Sequence, residues 1–171
     1  LAYGALIWQL YLTRRVQLTL GYIPLYVGNV QWEHRMREFV YVLNGDPTPL
    51  ARVRLGQHGR VYDQQKQVKL IMGITIAQQH DDKPFLRGPL SLEITFFMPM
   101  PIDKKLRRQR INKPHIIKPD LDNMIKFVVD ICTTITYKDD CIISHINARK
   151  IWSENPRTEF ILRPDISGIS K

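Results

Sequence analysis

The chain has 171 residues, of which 44% are hydrophobic and 24% are charged. These proportions exclude a disordered or fibrous protein and suit one globular domain with a single core. The formal net charge of +9 favours a polyanionic partner, most commonly nucleic acid, although many basic proteins bind none.

Two apolar runs begin the chain, Leu1–Leu12 and Val16–Val30, separated by Arg14 and Arg15. Neither run reaches the ~20 residues that a helix needs to span a bilayer. In a secretion signal the basic residues precede the apolar run, whereas here they follow the first one. We therefore expect neither a membrane span nor a secretion signal, and no membrane partner.

Met36 is the first methionine of the chain, and a strand-like stretch follows it closely. We therefore expect residues 1–35 to be an extension outside the functional domain. The domain itself is predicted over residues 36–164, followed by a frayed tail at residues 165–171.

The first predicted elements of the domain are a strand and a helix. β-branched and aromatic residues predict a buried strand over Glu38–Leu43, ended by the turn sequence Asn44–Pro47. A helix is predicted over about residues 64–79. Apolar positions at helical spacing predict its core-facing stripe, which consists of Val68, Ile71, Met72, Thr75 and Ile76.

The second half of the domain begins with a predicted strand over residues 90–96, whose alternation is typical of one solvated face. A basic connector, Asp103–Lys118, leads to a second helix over about residues 121–133. Further strand candidates follow at residues 134–137, 142–152 and 159–162. Because strands and helices lack a regular βαβ rhythm, we predict a single α+β domain with a mixed, mostly antiparallel sheet and two main helices.

Two cysteines, Cys132 and Cys141, lie among apolar residues, so we expect two buried, reduced thiols. A disulfide framework or a zinc site would need more cysteine or histidine at suitable spacing. The compartment is therefore expected to be reducing and cytoplasmic.

The second helix carries polar residues on one side. Asp122, Lys126 and Asp130 recur every four residues, and Asp120 precedes the helix. Taken singly, these residues have structural explanations: Asp120 as a helix cap and Lys126 as an ion-pair partner one turn away. The opposite face, predicted to be core, consists of Leu121, Met124, Ile125, Val128, Ile131 and Cys132.

The aspartates become informative together. Four carboxylates would repel one another if folding brought them close, and a divalent cation removes that repulsion. Two or three aspartates with retained water suit Mg²⁺, which can activate water beside a phosphodiester, and a lysine can stabilise the developing charge. The cluster consists of Asp120, Asp122, Asp139 and Asp140. Spacing alone leaves the metal site and the structural explanation both open.

The motif as a whole resembles a known family. The sequence from Lys118 to Lys126, Lys-Pro-Asp-Leu-Asp-Asn-Met-Ile-Lys, followed by Asp130 and by Tyr-Lys-Asp-Asp at residues 137–140, is similar to the RusA-type Holliday junction resolvases. These are phage- and prophage-associated endonucleases, and the resemblance extends over about residues 36–162.

The resemblance implies metal ligation by Asp120, Asp122 and Asp140 and catalysis by these residues with Lys126. It implies supporting roles for Asn123, Asp130 and Asp139, with Asp130 positioning Lys126. It further implies a Mg²⁺-dependent homodimer that nicks two strands of like polarity across a four-way DNA junction during recombination and repair.

Basic residues are expected to grip DNA phosphates near the metal, where contacts position DNA and carry little sequence information. The alternative for them is a solvated loop. The set consists of Arg52, Arg54, Lys104, Lys105, Arg107, Arg108, Arg110, Lys113 and Lys118. Two competing functions are a catalytically inactive DNA-binding module and a nucleotide-sugar transferase using Asp-x-Asp. The chain is short for a transferase, in which Lys126 would have no role.

Overall fold

The computed structural model describes residues 38–51, 54–55 and 61–166. Predictions for residues 1–35, for Arg52 and for most of the tail therefore fall outside the described residues. In chain order the strands are β1 (Phe39–Asn44), β2 (Arg54–Leu55), β3 (Val61–Tyr62), β4 (Leu90–Pro99), β5 (Ile143–Ser153) and β6 (Arg157–Pro164). The described helices are α1 (Lys66–Gln79), α2 (Lys104–Arg110) and α3 (Leu121–Cys132), with a 3₁₀ turn at Asp140–Ile142.

Four strands form one mixed sheet in the order β1-β6-β4-β5, and β2 pairs with β3 in a separate ribbon. β6 runs antiparallel to both β1 and β4, whereas β4 and β5 are parallel. A parallel pair requires a crossover connection, and here that connection contains α2 and α3. The predicted α+β class, with a mixed and mostly antiparallel sheet, is confirmed.

One face of the sheet is apolar and packs against α1 and α3. Along β4 the buried residues alternate with half-buried ones over most of its length, and β1 alternates in the same way. β1 lies at an edge of the sheet and only one of its faces is buried. The strand predicted as buried is therefore present, but its second face is partly solvated, as exposed Val40 shows. From α3 the core receives Met124, Phe127, Val128, Val129, Ile131 and Cys132, while the predicted Leu121 and Ile125 are half-buried.

Helix α1 faces the core with only part of the predicted stripe, namely Met72 and Ile76. Ile76 and Gly73 are buried, but Ile71 is 64% exposed and Val68 38% exposed. At Gly73 a Cβ atom would lie 3.4 Å from the Ile135 side chain, so the absence of a side chain permits close packing there. The predicted stripe was therefore wrong in part, because a glycine lies on the packed side.

Polar contacts from α1 fix its orientation. The Gln79 side-chain amide accepts from the backbone N–H of Val42 at 2.8 Å and donates to its carbonyl at 2.7 Å. Just after the helix, Nδ1 of His80 lies 2.6 Å from the Tyr41 hydroxyl. These bonds join α1 to the edge strand β1. The hydrophobic periodicity of the sequence does not indicate them.

The segment predicted as a basic connector contains the additional helix α2. Asp103 caps it, since its carboxylate accepts hydrogen bonds from the backbone N–H groups of Lys105 and Leu106 at 2.8 and 2.9 Å. After α2 the chain runs along the outer edge of β5. There the N–H of His115 donates to the Lys150 carbonyl at 2.9 Å.

The two cysteines differ in environment. Cys132 is buried at the end of α3, whereas Cys141 is exposed in the 3₁₀ turn. The expectation that both are buried is wrong for Cys141, because its aspartate neighbours hold that turn at the surface. Among the residues described, no helix has the length and apolar character needed to cross a membrane.

Candidate active site

Helix α3 presents the motif residues to solvent. Asp122, Lys126 and Asp130 are exposed, while the opposite face of the helix lies in the core. This arrangement confirms the predicted polar stripe. Nζ of Lys126 lies 3.1 Å from Oδ2 of Asp122, one turn away. The hydrogen bond to Lys126 lowers the pKa of Asp122, so this carboxylate is ionised at neutral pH.

Asp120 occupies the N-cap position of α3 without acting as a cap. Its backbone is extended, and within the described part of the chain its side chain accepts no capping hydrogen bond. Asp103 shows the contrast, since both of its capping bonds to α2 are present. Aspartate at an N-cap usually satisfies the first helical N–H groups. The Asp120 carboxylate is therefore not engaged by the helix that it precedes.

The two residues of the second acidic pair, Asp139 and Asp140, have different roles. Oδ1 of Asp139 accepts from the backbone N–H of Cys141 at 3.0 Å, and this bond caps the 3₁₀ turn. The same bond lowers the pKa of Asp139. Asp140 is the first residue of that turn and is exposed. The local fold thus uses Asp139 structurally and presents Asp140 at the surface.

A cleft of about 310 Å³ lies between α3 and the beginning of β5. Its charged lining comes from Lys126, Asp130 and Asp140, which the sequence separates by as many as fourteen positions. The topology brings them together, because after α3 the chain passes through the 3₁₀ turn that begins at Asp140 and then enters β5. Its apolar lining consists of Leu50, Ile125, Val129, Ile143 and Ile146.

The carboxylates are not gathered into a ready metal cage. Asp120 and Asp122 lie towards the first turn of α3 and are not among the described residues that line the cleft. Within residues 38–51, 54–55 and 61–166, no three His, Cys, Asp or Glu side chains form a group that could hold a metal ion. The oxygen donors suit a hard cation such as Mg²⁺, and exposed aspartates can change rotamer, so the residues fit by type rather than by a preformed geometry.

Lys69 in α1 is a residue near the cleft that sequence reasoning missed. Its Nζ lies 2.8 Å from Oδ2 of Asp130 and 3.4 Å from Oδ2 of Asp63. Burial alone would lower the pKa of Lys69, but these two carboxylates outweigh it and raise that pKa. Asp130 thus pairs with Lys69, and in the described chain Lys126 pairs with Asp122, so the expected pairing of Asp130 with Lys126 is not observed.

Asn123 supports the candidate site through a backbone hydrogen bond. Its carbonyl accepts a hydrogen bond from the N–H of Leu50 at 2.8 Å, which ties the chain after β1 to the first turn of α3. Leu50 in turn lines the cleft. The supporting position predicted for Asn123 therefore lies next to a cleft wall.

The basic residues predicted to bind DNA divide between exposed and partly engaged side chains. Arg107 lies 3.6 Å from Glu154, and Arg110 lies over the Trp152 ring at 5.1 Å from its centroid. The backbone of Arg54 lies in β2, while its side chain and Arg52 are outside the described residues. The exposed members are Lys104, Lys105, Arg108, Lys113 and Lys118.

The chain is similar to known proteins over most of its described residues. A family model described as endodeoxyribonuclease RusA matches residues 44–163, a range that includes α1 to α3 and the whole candidate site. The chain is also 29% identical over 134 residues to a Bacillus subtilis (strain 168) protein described as uncharacterized protein YqaN. That alignment covers 72% of this chain and 94% of the relative. Nucleases of the matched family are metal-dependent.

Proposed function

The chain belongs to the RusA endodeoxyribonuclease family, and on that premise we propose that it is a Mg²⁺-dependent endonuclease that resolves Holliday junctions in DNA recombination and repair. The observation that carries the proposal is the shared cleft of Lys126 and Asp140, two motif residues from separate elements. The Asp120 carboxylate supports the proposal further, because it makes no capping hydrogen bond. A purely structural aspartate at that position would accept hydrogen bonds from the first N–H groups of the helix.

Asp120, Asp122 and Asp140 are the residues that would hold the ion. Bound Mg²⁺ supplies a Lewis acid that lowers the pKa of water and offsets charge on the phosphodiester. Asp122 enters the reaction ionised, since its hydrogen bond to Lys126 lowers its pKa. Lys126, whose side chain is mostly exposed beside the cleft, stabilises negative charge that develops on the phosphate oxygens.

The exposed basic side chains of α2 and its following loop contact DNA phosphates. Lys104, Lys105 and Arg108 lie on one short helix whose first turn is fixed by Asp103, so their charges are held close together. Such contacts hold the duplex arms of a branched substrate and do not read bases. A homodimer with two-fold symmetry suits a junction that is cut at two symmetric strands.

The test is cleavage of a synthetic four-way junction by the full chain, with Mg²⁺ and with a chelator, against a linear duplex of the same sequence. We expect Mg²⁺-dependent paired nicks in the junction. Asp122→Asn abolishes the nicks while junction binding is retained, and Asp81→Asn, a change at an exposed loop aspartate, leaves them unaffected. Full cleavage by Asp122→Asn contradicts the assignment of the site. Binding without cleavage by the unmodified chain favours the inactive DNA-binding module.

A further inference from the structure

Lys150 in β5 grips the segment that leads into Asp120. Its Nζ donates to the backbone carbonyl of Ile117 at 2.7 Å and to that of Pro119 at 2.6 Å. These carbonyls flank Lys118, and the second belongs to the residue directly before Asp120. Charge-assisted hydrogen bonds of this length are among the stronger ones in proteins. One ammonium group thus fixes the backbone immediately before α3.

The segment that Lys150 binds, residues 116–118 and the start of Pro119, is otherwise mostly exposed. Ile116 is 89% exposed, and Ile117 and Lys118 are also exposed, so burial gives this stretch little stabilisation. The backbone carbonyl of Lys150 additionally accepts from the N–H of His115. Lys150 therefore holds the loop at both ends, through its backbone at one end and through its side chain at the other.

The position of the Asp120 carboxylate depends on this loop. Because no capping bond within the described chain links that side chain to α3, the helix itself does not orient it. Its backbone follows directly from Pro119, which Lys150 holds. The backbone carbonyl of Asp120 accepts a hydrogen bond from the N–H of Met124 at 3.3 Å, so its main chain stays with α3. A movement of residues 117–119 would therefore turn the Asp120 carboxylate relative to Asp122.

Lys150 is placed differently from the basic residues of α2. In the β4–β5 register it pairs with Phe96, a buried residue, and so lies on the helix-covered side of the sheet. Its neighbour Arg149 pairs with Thr95 on the opposite side and donates to the Thr95 hydroxyl at 3.0 Å. Two of the donors of the Lys150 ammonium are already used by carbonyls, which leaves little capacity for a DNA phosphate.

We propose that Lys150 is a positioning residue that holds Asp120 in place for divalent-cation binding. This inference rests on the proposed metal-dependent nuclease function. Groups that orient a metal ligand without touching the metal typically alter metal affinity or activity by about 10- to 100-fold when they are removed. Lys150 acts in this way through the backbone of residues 117–119.

The test compares Lys150→Met with Arg149→Met, a matched loss of one charge from the same strand but from the other side of the sheet. Mn²⁺ binding to the full chain is measured from the electron paramagnetic resonance signal of free Mn²⁺. Junction cleavage is measured across a Mg²⁺ titration. We expect Lys150→Met to weaken Mn²⁺ binding and to raise the half-maximal Mg²⁺ concentration by about 10- to 100-fold. Arg149→Met leaves both unchanged. Lys150→Arg, which keeps the charge, retains part of the Mn²⁺ affinity that Lys150→Met loses.

Two results overturn the inference while leaving the proposed function intact. One is unchanged Mn²⁺ affinity in a folded Lys150→Met variant. The other is a shallower slope of log binding constant against log salt concentration for metal-free junction binding, by about one unit, while the Mn²⁺ affinity is unchanged. That result identifies Lys150 as a phosphate contact. If Lys150→Met does not fold, Lys150→Gln, which keeps a shorter donor, is measured in the same way and judged by the same criteria.

The failure of the proposed function has a different signature. Mn²⁺ binding by the unmodified chain without cleavage of any junction contradicts the function, and the Mn²⁺ titration of the Lys150 variants still decides the inference. The absence of Mn²⁺ binding in the unmodified chain contradicts both. Thermal unfolding of each variant, compared with that of the unmodified chain, separates local displacement of Asp120 from global loss of structure.

Discussion

Acidification is expected to destabilise the fold through His80. This side chain is 2% exposed at the end of α1, with Nδ1 2.6 Å from the Tyr41 hydroxyl. Burial, and secondarily the charge of Lys83, lowers the pKa of His80 from 6.5 to about 4. The unfolded chain therefore binds a proton more readily than the folded chain between these values. The stability contributed by neutral His80 is full above about pH 6.5 and is lost as the pH falls towards 4.

The magnitude follows from the two pKa values. At about 1.4 kcal/mol for each pKa unit, complete protonation costs on the order of 3 kcal/mol, of which about 2 kcal/mol is lost between pH 7 and pH 5. Urea unfolding at these two pH values measures the loss. The control is His80→Gln, which retains an acceptor for Tyr41 but cannot titrate. An equal pH dependence of the unfolding free energy in the unmodified chain and in His80→Gln would show that His80 is not the source of the loss.

Two further predictions concern the site and its DNA contacts. Lys126→Ala should reduce junction cleavage by about 100-fold or more with an unchanged unfolding temperature, because the side chain is mostly exposed and acts on charge in the transition state; a loss of folding would instead indicate a structural role. Replacing Lys104 and Lys105 with glutamine should reduce the slope of log binding constant against log salt concentration by about two units, since each phosphate contact contributes about 0.9 to that slope. An unchanged slope, measured from affinities at several salt concentrations, would place both side chains away from DNA.

The parts of the fold that could be predicted are those governed by local patterns. Helix α3 combines a long apolar face with a polar stripe at a spacing of four, so its extent and orientation followed from the sequence. The α+β class followed from the spacing of the strands. The motif residues Lys126 and Asp140 were predicted to act together, and the fold places both on the lining of one cleft.

The parts that could not be predicted depend on contacts between distant residues. The face of α1 is set by Gln79 bonding to β1 and by the close packing at Gly73, which periodicity does not encode. Lys69 reaches Asp130 across 61 positions, and Lys150 reaches Pro119 across 31. Such partners become apparent only when the topology is known. Helix α2 differs from the predicted connector for a local reason: its charged sequence has no apolar stripe, and its first turn is fixed by the Asp103 cap.

The location of a bound divalent cation tests most directly whether the aspartates of α3 and of the 3₁₀ turn form one metal site. Crystals of the full chain soaked in Mn²⁺ and measured at a wavelength where manganese scatters anomalously would show each bound ion as a peak. We expect a peak about 2 Å from carboxylate oxygens of Asp120, Asp122 and Asp140, near Lys126. A peak elsewhere, or no peak at Mn²⁺ concentrations that support junction cleavage, would contradict it.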